Sequence, residues 1–212
     1  MNLNFLNTDY LSRTFHFADQ EEEEQAKRAS LIRITFLTVF FGFLWCMSYV
    51  FLGLALATTG VVLYISTTLI NVLFFRITKR YVTFRFIQLV LILFLPAITQ
   101  MLLGGYMKGS AVGMAIMLGP TGALMFASAR TARGFFYATV AVFLGMGIWE
   151  RLDPGLGIVQ FSDDINLLFF ATNSAAISAV FYFVIEFFLK EKDRFQHMLH
   201  DRNKEVLEKT KN

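Results

Sequence analysis

The chain has 212 residues, of which 56% are apolar, 16% aromatic and 17% charged, against roughly 45–50% apolar and roughly 25% charged in an ordinary soluble domain. A mean hydropathy of +0.54, spread along most of the chain, makes lipid its natural solvent and argues against a water-soluble fold. The single cysteine, Cys46, excludes an intrachain disulfide or a cysteine-based metal site, and the net charge of +3 takes its meaning from where the nineteen Lys and Arg fall.

Residues 1–33 read as a cytoplasmic N-terminal segment. Leu3, Leu6, Tyr10, Leu11, Phe15 and Phe17 supply the apolar side of a short amphipathic helix, followed by the acidic run Glu21 to Glu24 and the basic pair Lys27 and Arg28. A secretory signal peptide is not expected, because this polar and acidic stretch precedes the first apolar run.

Residues 34–189 then offer six stretches near the length a helix needs to cross about 30 Å of hydrocarbon. They run from Ile34 to Leu54, Thr58 to Phe75, Phe86 to Leu103, Ser110 to Ala127, Phe135 to Trp149 and Leu167 to Leu189. The fourth is interrupted by Gly113, Gly119, Pro120 and Gly122, and the fifth is short. Membrane helices tolerate Gly and Pro where neighbouring helices satisfy the freed backbone, so both are kept, with a re-entrant hairpin as the competing arrangement. Lys and Arg prefer the cytoplasmic side of short loops. With both termini inside, all of the nineteen except Lys108 and Arg151 fall on that side. The expected fold is therefore an all-α membrane protein of six transmembrane helices with both ends cytoplasmic.

Residues 190–212 continue the last helix without a breaker. Phe188, Phe195, Leu199 and Val206 fall at seam positions of a short coiled-coil-like heptad pattern, diluted by Lys192 and Arg202, and Glu205 with Lys209 forms an i to i+4 pair. This stretch reads as a signalling connector that pairs with a second copy, with a solvated single-helix tail as the alternative because the seam is short of three or four heptads.

No catalytic or metal-binding motif is present: there is no His-Glu-x-x-His run, no phosphate-cradling Gly loop and no nucleophile elbow. None of the six apolar segments carries a lysine, which removes retinal chemistry. Polar residues inside the segments are costly in lipid and carry functional weight. Asn71, Gln88 and Glu186 lie near the cytoplasmic ends, where Glu186 reaches the interface or pairs with Arg76 or Arg85. Gln100 and Asn173 lie near the outer ends, beside Tyr106, Lys108, Glu150, Arg151, Asp153, Asp163 and Asp164. Gln100, Tyr106, Lys108, Glu150, Arg151 and Asn173 are the candidate pocket for a small hydrophobic or lipid ligand. The relay candidates are Glu186, Phe188, Phe195, Leu199 and Val206. Trp149 and Tyr106 suit interfacial anchoring.

The runs Leu95-Pro96 to Gly104-Gly105 and Met117-Leu118-Gly119-Pro120-Thr121-Gly122-Ala123-Leu124-Met125-Phe126, with a last helix entering Phe188-Leu189-Lys190-Glu191-Lys192-Asp193, give the chain a family likeness. It resembles the six-helix N-terminal membrane region of bacterial class III adenylate/guanylate cyclases. The resemblance implies a homodimeric anchor or receptor coupled in cis to a cytoplasmic catalytic domain, which would use divalent metal and a nucleoside triphosphate. The chain reaches Asn212 before any catalytic strand or metal-binding aspartate of that family, so no cofactor, catalytic residue or nucleic-acid partner is expected within it. A histidine-kinase output, a small transporter, an intramembrane enzyme and a passive anchor are the alternative readings.

Overall fold

The computed structural model describes residues 7–15, 22–51, 58–105, 109–152 and 162–211. They are almost wholly helical: α1 (Thr8–Thr14), α2 (Glu22–Phe51), α3 (Thr58–Thr78), α4 (Tyr81–Leu102), a 3-10 helix (Val112–Met117), α5 (Leu118–Phe126), α6 (Ala129–Leu152) and α7 (Asp163–Lys211). The chain divides into two compact units, residues 1–177 and 178–212.

In the first unit α4 is the central helix, packed against α3, α5, α6 and the 3-10 helix, and α2 lies along α3. Lipid-type patterning explains the arrangement. Outward faces carry exposed Phe40, Phe43, Val62, Ile70, Val82, Phe86, Phe136 and Leu144, large apolar side chains that a soluble protein would cover. Polar Asn71, Gln88, Gln100, Thr68 and Asn173 are turned inward and buried, as expected where an unmet polar group facing hydrocarbon is costly. Among the described residues, five helices are long and apolar enough to cross a membrane: residues 24–51, 58–78, 81–102, 129–152 and 163–190. The chain is a multi-pass membrane protein.

The short fifth stretch of the sequence reading, Phe135 to Trp149, is the interior of a 24-residue helix, because its Arg-bearing first turn and its Glu-Arg last turn remain helical. The boundary expected at residue 33 falls inside α2, which runs unbroken from Glu22 and buries Ala29, Leu31 and Ile32. The amphipathic helix expected near the N-terminus is α1, and it lies on the bundle: Leu11 and Phe15 join a cluster with Ile32, Phe75 and Phe84, and the Phe15 and Phe75 rings stack at 5.5 Å.

The fourth expected span departs from a regular helix. Residues 112–126 form six residues of 3-10 helix followed by nine of α-helix. Pro120 has no N–H to donate to the carbonyl four residues earlier, and its fixed φ suits a first turn; α5 accordingly starts at Leu118, and the preceding turn takes the tighter winding. The segment is too short to stand among the five long apolar helices. It nevertheless runs the length of α4 in the opposite direction. The Gly113 N–H donates to Gln100 Oε1 at 2.7 Å, Gly119 and Gly122 lie on Leu93 and Leu89, and Arg85 donates to the Phe126 carbonyl. A Cβ at 122 would lie 3.1 Å from Leu89 Cδ2, so the bare glycine there eases the approach.

The second unit is the remainder of α7, helical to Lys211. Within it Glu186 forms an i to i+4 ion pair with Lys190 at 2.7 Å.

Candidate functional site

The polar junction at the C-terminal end of α4 gathers three of the sequence-predicted pocket residues. α4 ends at Leu102, and the backbone turns through left-handed conformations at Gly104, Gly105, Ser110 and Ala111, with φ of 125°, 92°, 57° and 61°. Gly109 is held so closely that a Cβ there would lie 2.4 Å from the Gln100 carbonyl oxygen and 2.6 Å from that of Gly105. The Gln100 amide clasps this turn on both sides, its Nε2 donating to the Gly105 carbonyl at 3.2 Å and its Oε1 accepting from the Gly113 N–H at 2.7 Å.

From α7, Asn173 Nδ2 donates to the Ser110 carbonyl at 2.7 Å, and the Ser110 hydroxyl donates to Asn166 Oδ1 at 2.8 Å. The α7 stripe Asn166, Phe169, Asn173 and Ile177 follows helical spacing, and the last three are buried. Glu150, in the last turns of α6, sets its carboxylate against Gly105; a Cβ on that glycine would lie 3.2 Å from Glu150 Cδ. Arg151 follows it and is exposed. Tyr106, Lys108 and Asp153 lie outside the described residues. Of the relay positions, Phe188 is exposed on α7, while Phe195, Leu199 and Val206 lie on the same helix with side chains outside the described set.

Two aromatic residues complete the junction that polar patterning alone did not single out. Tyr49 is fully buried, its ring 4.9 Å from that of Phe169. Its hydroxyl lies beside Trp45 and Asn173 without meeting hydrogen-bond geometry with either, and Trp45 Nε1 is likewise unpartnered. Their positions on α2 carry an i to i+4 spacing, the one signal that placed them on a common face. Gln100 and Asn173 thus spend their amides on backbone groups, as buried polar side chains in lipid must, and hold the α4 to 3-10 connection rigidly against α7.

A second polar cluster lies toward the other end of α4. Asn71 Nδ2 donates to the Phe84 carbonyl at 3.0 Å and to Gln88 Oε1 at 3.3 Å, and the Tyr64 hydroxyl donates to Thr38 Oγ1 at 3.1 Å. These tie α2, α3 and α4 together. Among the described residues no group of three or more His, Cys, Asp or Glu is placed to hold a metal ion. The chemistry available at both clusters is hydrogen bonding between helices. Set against known protein families, curated proteins and solved structures, the chain matches none.

Proposed function

We propose that the chain is a six-crossing membrane receptor or anchor module that dimerises and regulates a cytoplasmic output domain, a nucleotide cyclase making cyclic AMP or cyclic GMP. The observation that carries this reading is α7, one helix of 49 residues from Asp163 to Lys211. An α-helix needs only about 20 residues to cross hydrocarbon. The last 22 residues, 190–211, are charged and helical without a Gly or Pro, and such a rod extends about 33 Å at 1.5 Å per residue. A helix continuous through the change from apolar to charged sequence transmits rotation or sliding, which a flexible linker would dissipate.

The sixth crossing is supported by residues 112–126, which run antiparallel along α4 from Gln100 to Arg85 and span about 25 Å. A re-entrant hairpin would return to its starting end. With six crossings the basic turns at 76–85 and 130–133 share one side, which the positive-inside tendency makes cytoplasmic, in the bacterial inner membrane. The junction around Gln100, Glu150 and Asn173 then faces outward. A small hydrophobic or lipid ligand there acts by binding two packings of the dimer with different affinity.

The test is disulfide crosslinking in native membranes. In a Cys46→Ser chain, Phe195→Cys and Leu199→Cys are expected to give dimers on mild oxidation, while an exposed flank such as Lys204→Cys gives few. Monomers at both seam positions would remove the dimer relay. Fusion ahead of a dimerisation-dependent cyclase catalytic domain tests the output: inserting three or four residues after Lys190 should change nucleotide production, and inserting seven should restore it. Uptake of solute by proteoliposomes of the purified chain would instead establish a transporter.

A further inference from the structure

Between Glu24 and Glu150 the chain contains no Asp or Glu, yet it carries ten Lys and Arg. Six of these, Arg76, Lys79, Arg80, Arg85, Arg130 and Arg133, sit around two tight turns, α3 to α4 and α5 to α6. The turns are tied together. Arg85 reaches from the second turn of α4 to the Phe126 carbonyl, where α5 ends, and the Phe86 ring packs edge-on to Phe135 of α6 with centroids 6.0 Å apart. Arg76, Lys79, Arg80, Arg130 and Arg133 are exposed, and among the described residues none has an acidic partner. By contrast Arg28, on α2, is paired with Glu24 at 3.3 Å.

Two details mark the cations as more than a helix-end tolerance. Lys79 adopts a left-handed φ of 58°, a conformation that glycine takes at lower cost, so the turn holds a charge against its own backbone preference. α4 begins at this turn without a side-chain cap, adding the positive end of a 22-residue helix to a field that is already positive. Immediately beside the cations the same helices expose Ile77, Val82, Phe86, Phe136 and Tyr137. A ligand for this surface must join an anionic head to apolar chains at a membrane boundary.

We propose that this two-turn surface is a binding site for anionic phospholipid, the headgroup phosphate held among Arg76, Lys79, Arg80, Arg130 and Arg133 and the acyl chains lying on the exposed apolar faces of α4 and α6. The proposal needs the chain to span a membrane with both turns on one side, and so rests on a crossing by residues 112–126; it stands whether or not the chain is a receptor.

The test uses the purified full chain in neutral detergent, titrated with phosphatidylglycerol or phosphatidylcholine and followed by native mass spectrometry. Phosphatidylglycerol is expected to bind preferentially, and the preference to fall about fivefold per charge removed in Arg80→Gln, Arg130→Gln and Arg133→Gln. Arg130→Lys with Arg133→Lys should retain most of it, and Lys192→Gln with Lys204→Gln should leave it unchanged. Circular dichroism confirms that each variant is folded, and the charge-conserving pair carries the comparison if a Gln variant is not. Equal binding of both lipids by the parent chain, a Lys pair as weak as the Gln pair, or equal losses in the Lys192 and Lys204 variants would overturn the site. Displacement of phosphatidylglycerol by inorganic phosphate at comparable concentration would overturn a lipid site in favour of a free-anion site.

Discussion

At the scale of single residues, Gln100 and Gly109 do opposite things for the same turn. Gln100 supplies an acceptor to the Gly113 N–H and a donor to the Gly105 carbonyl, so Gln100→Ala strands two buried backbone groups, each worth about 1–3 kcal/mol. Gly109 contributes only the absence of a side chain, and a Cβ 2.4 Å from a backbone oxygen cannot be relieved by a rotamer change. Gly109→Ala is therefore expected to destabilise more than Gln100→Ala, with Gln100→Ala losing on the order of 2–3 kcal/mol. Unfolding in mixed micelles ranks the two; a Gln100→Ala chain as stable as the parent would show that the clasp is dispensable. Gln100 and Asn173 were legible in the sequence because a polar residue deep in an apolar run has few cheap placements. Their partners were not, since both amides bond to main chain, which every residue carries. Tyr49 was hidden for another reason: an aromatic near a helix end reads equally well as an interfacial anchor or as core.

At the scale of elements, α1 shows what packing adds to a pattern. Seven residues are too few to form a stable helix alone. α1 is held by its Asn7 cap to Asp9 and by burial of Leu11 and Phe15 against Ile32 and Phe75, and Arg33 of α2 donates to Thr8. Periodicity suggested an amphipathic helix without saying what its apolar side meets; its seat on the bundle belongs to Phe75, whose ring stacks on Phe15 at 5.5 Å and Phe84 at 4.8 Å. Phe15→Ala removes a buried ring, a change that ordinarily costs about 3–5 kcal/mol. The loss should fall on α1 locally, because the Phe75 to Phe84 stack survives. Limited proteolysis after Arg13 is expected to quicken while the long helices keep their hydrogen-exchange protection; unchanged cleavage would mean that α1 is held chiefly by Leu11. Residues 112–126 are the converse case. Their Gly and Pro content announced an irregular segment, and the division into 3-10 and α winding follows from Pro120, but its direction along α4 depends on contacts with Leu89 and Leu93 that no local pattern encodes.

At the scale of the whole molecule, the placement of basic residues and the run of residues 112–126 bear on the same quantity, the number of crossings. Five long helices alone would put Lys79 and Arg130 on opposite sides of the membrane, since only α4 would lie between them. The crossing proposed for residues 112–126 would return the chain and put Lys79 and Arg130 on one side, in keeping with the tie between Arg85 and the Phe126 carbonyl. The charge pattern favours six crossings because it integrates over the chain and does not depend on the regularity of any one helix. Single cysteines in a Cys46→Ser chain decide it. In sealed inner-membrane vesicles of known orientation, a membrane-impermeant maleimide is expected to label Lys79→Cys, Arg130→Cys and Lys192→Cys from one face and Ser162→Cys from the other. Labelling of Arg130→Cys together with Ser162→Cys from the face opposite Lys79→Cys would mean that neither residues 112–126 nor α6 crosses, and would reduce the crossings to four. Labelling of Arg130→Cys from the face opposite Lys79→Cys, with Ser162→Cys on the Lys79 side, would reduce the crossings to five, place the charged end of α7 outside, and remove a cytoplasmic output domain along with it.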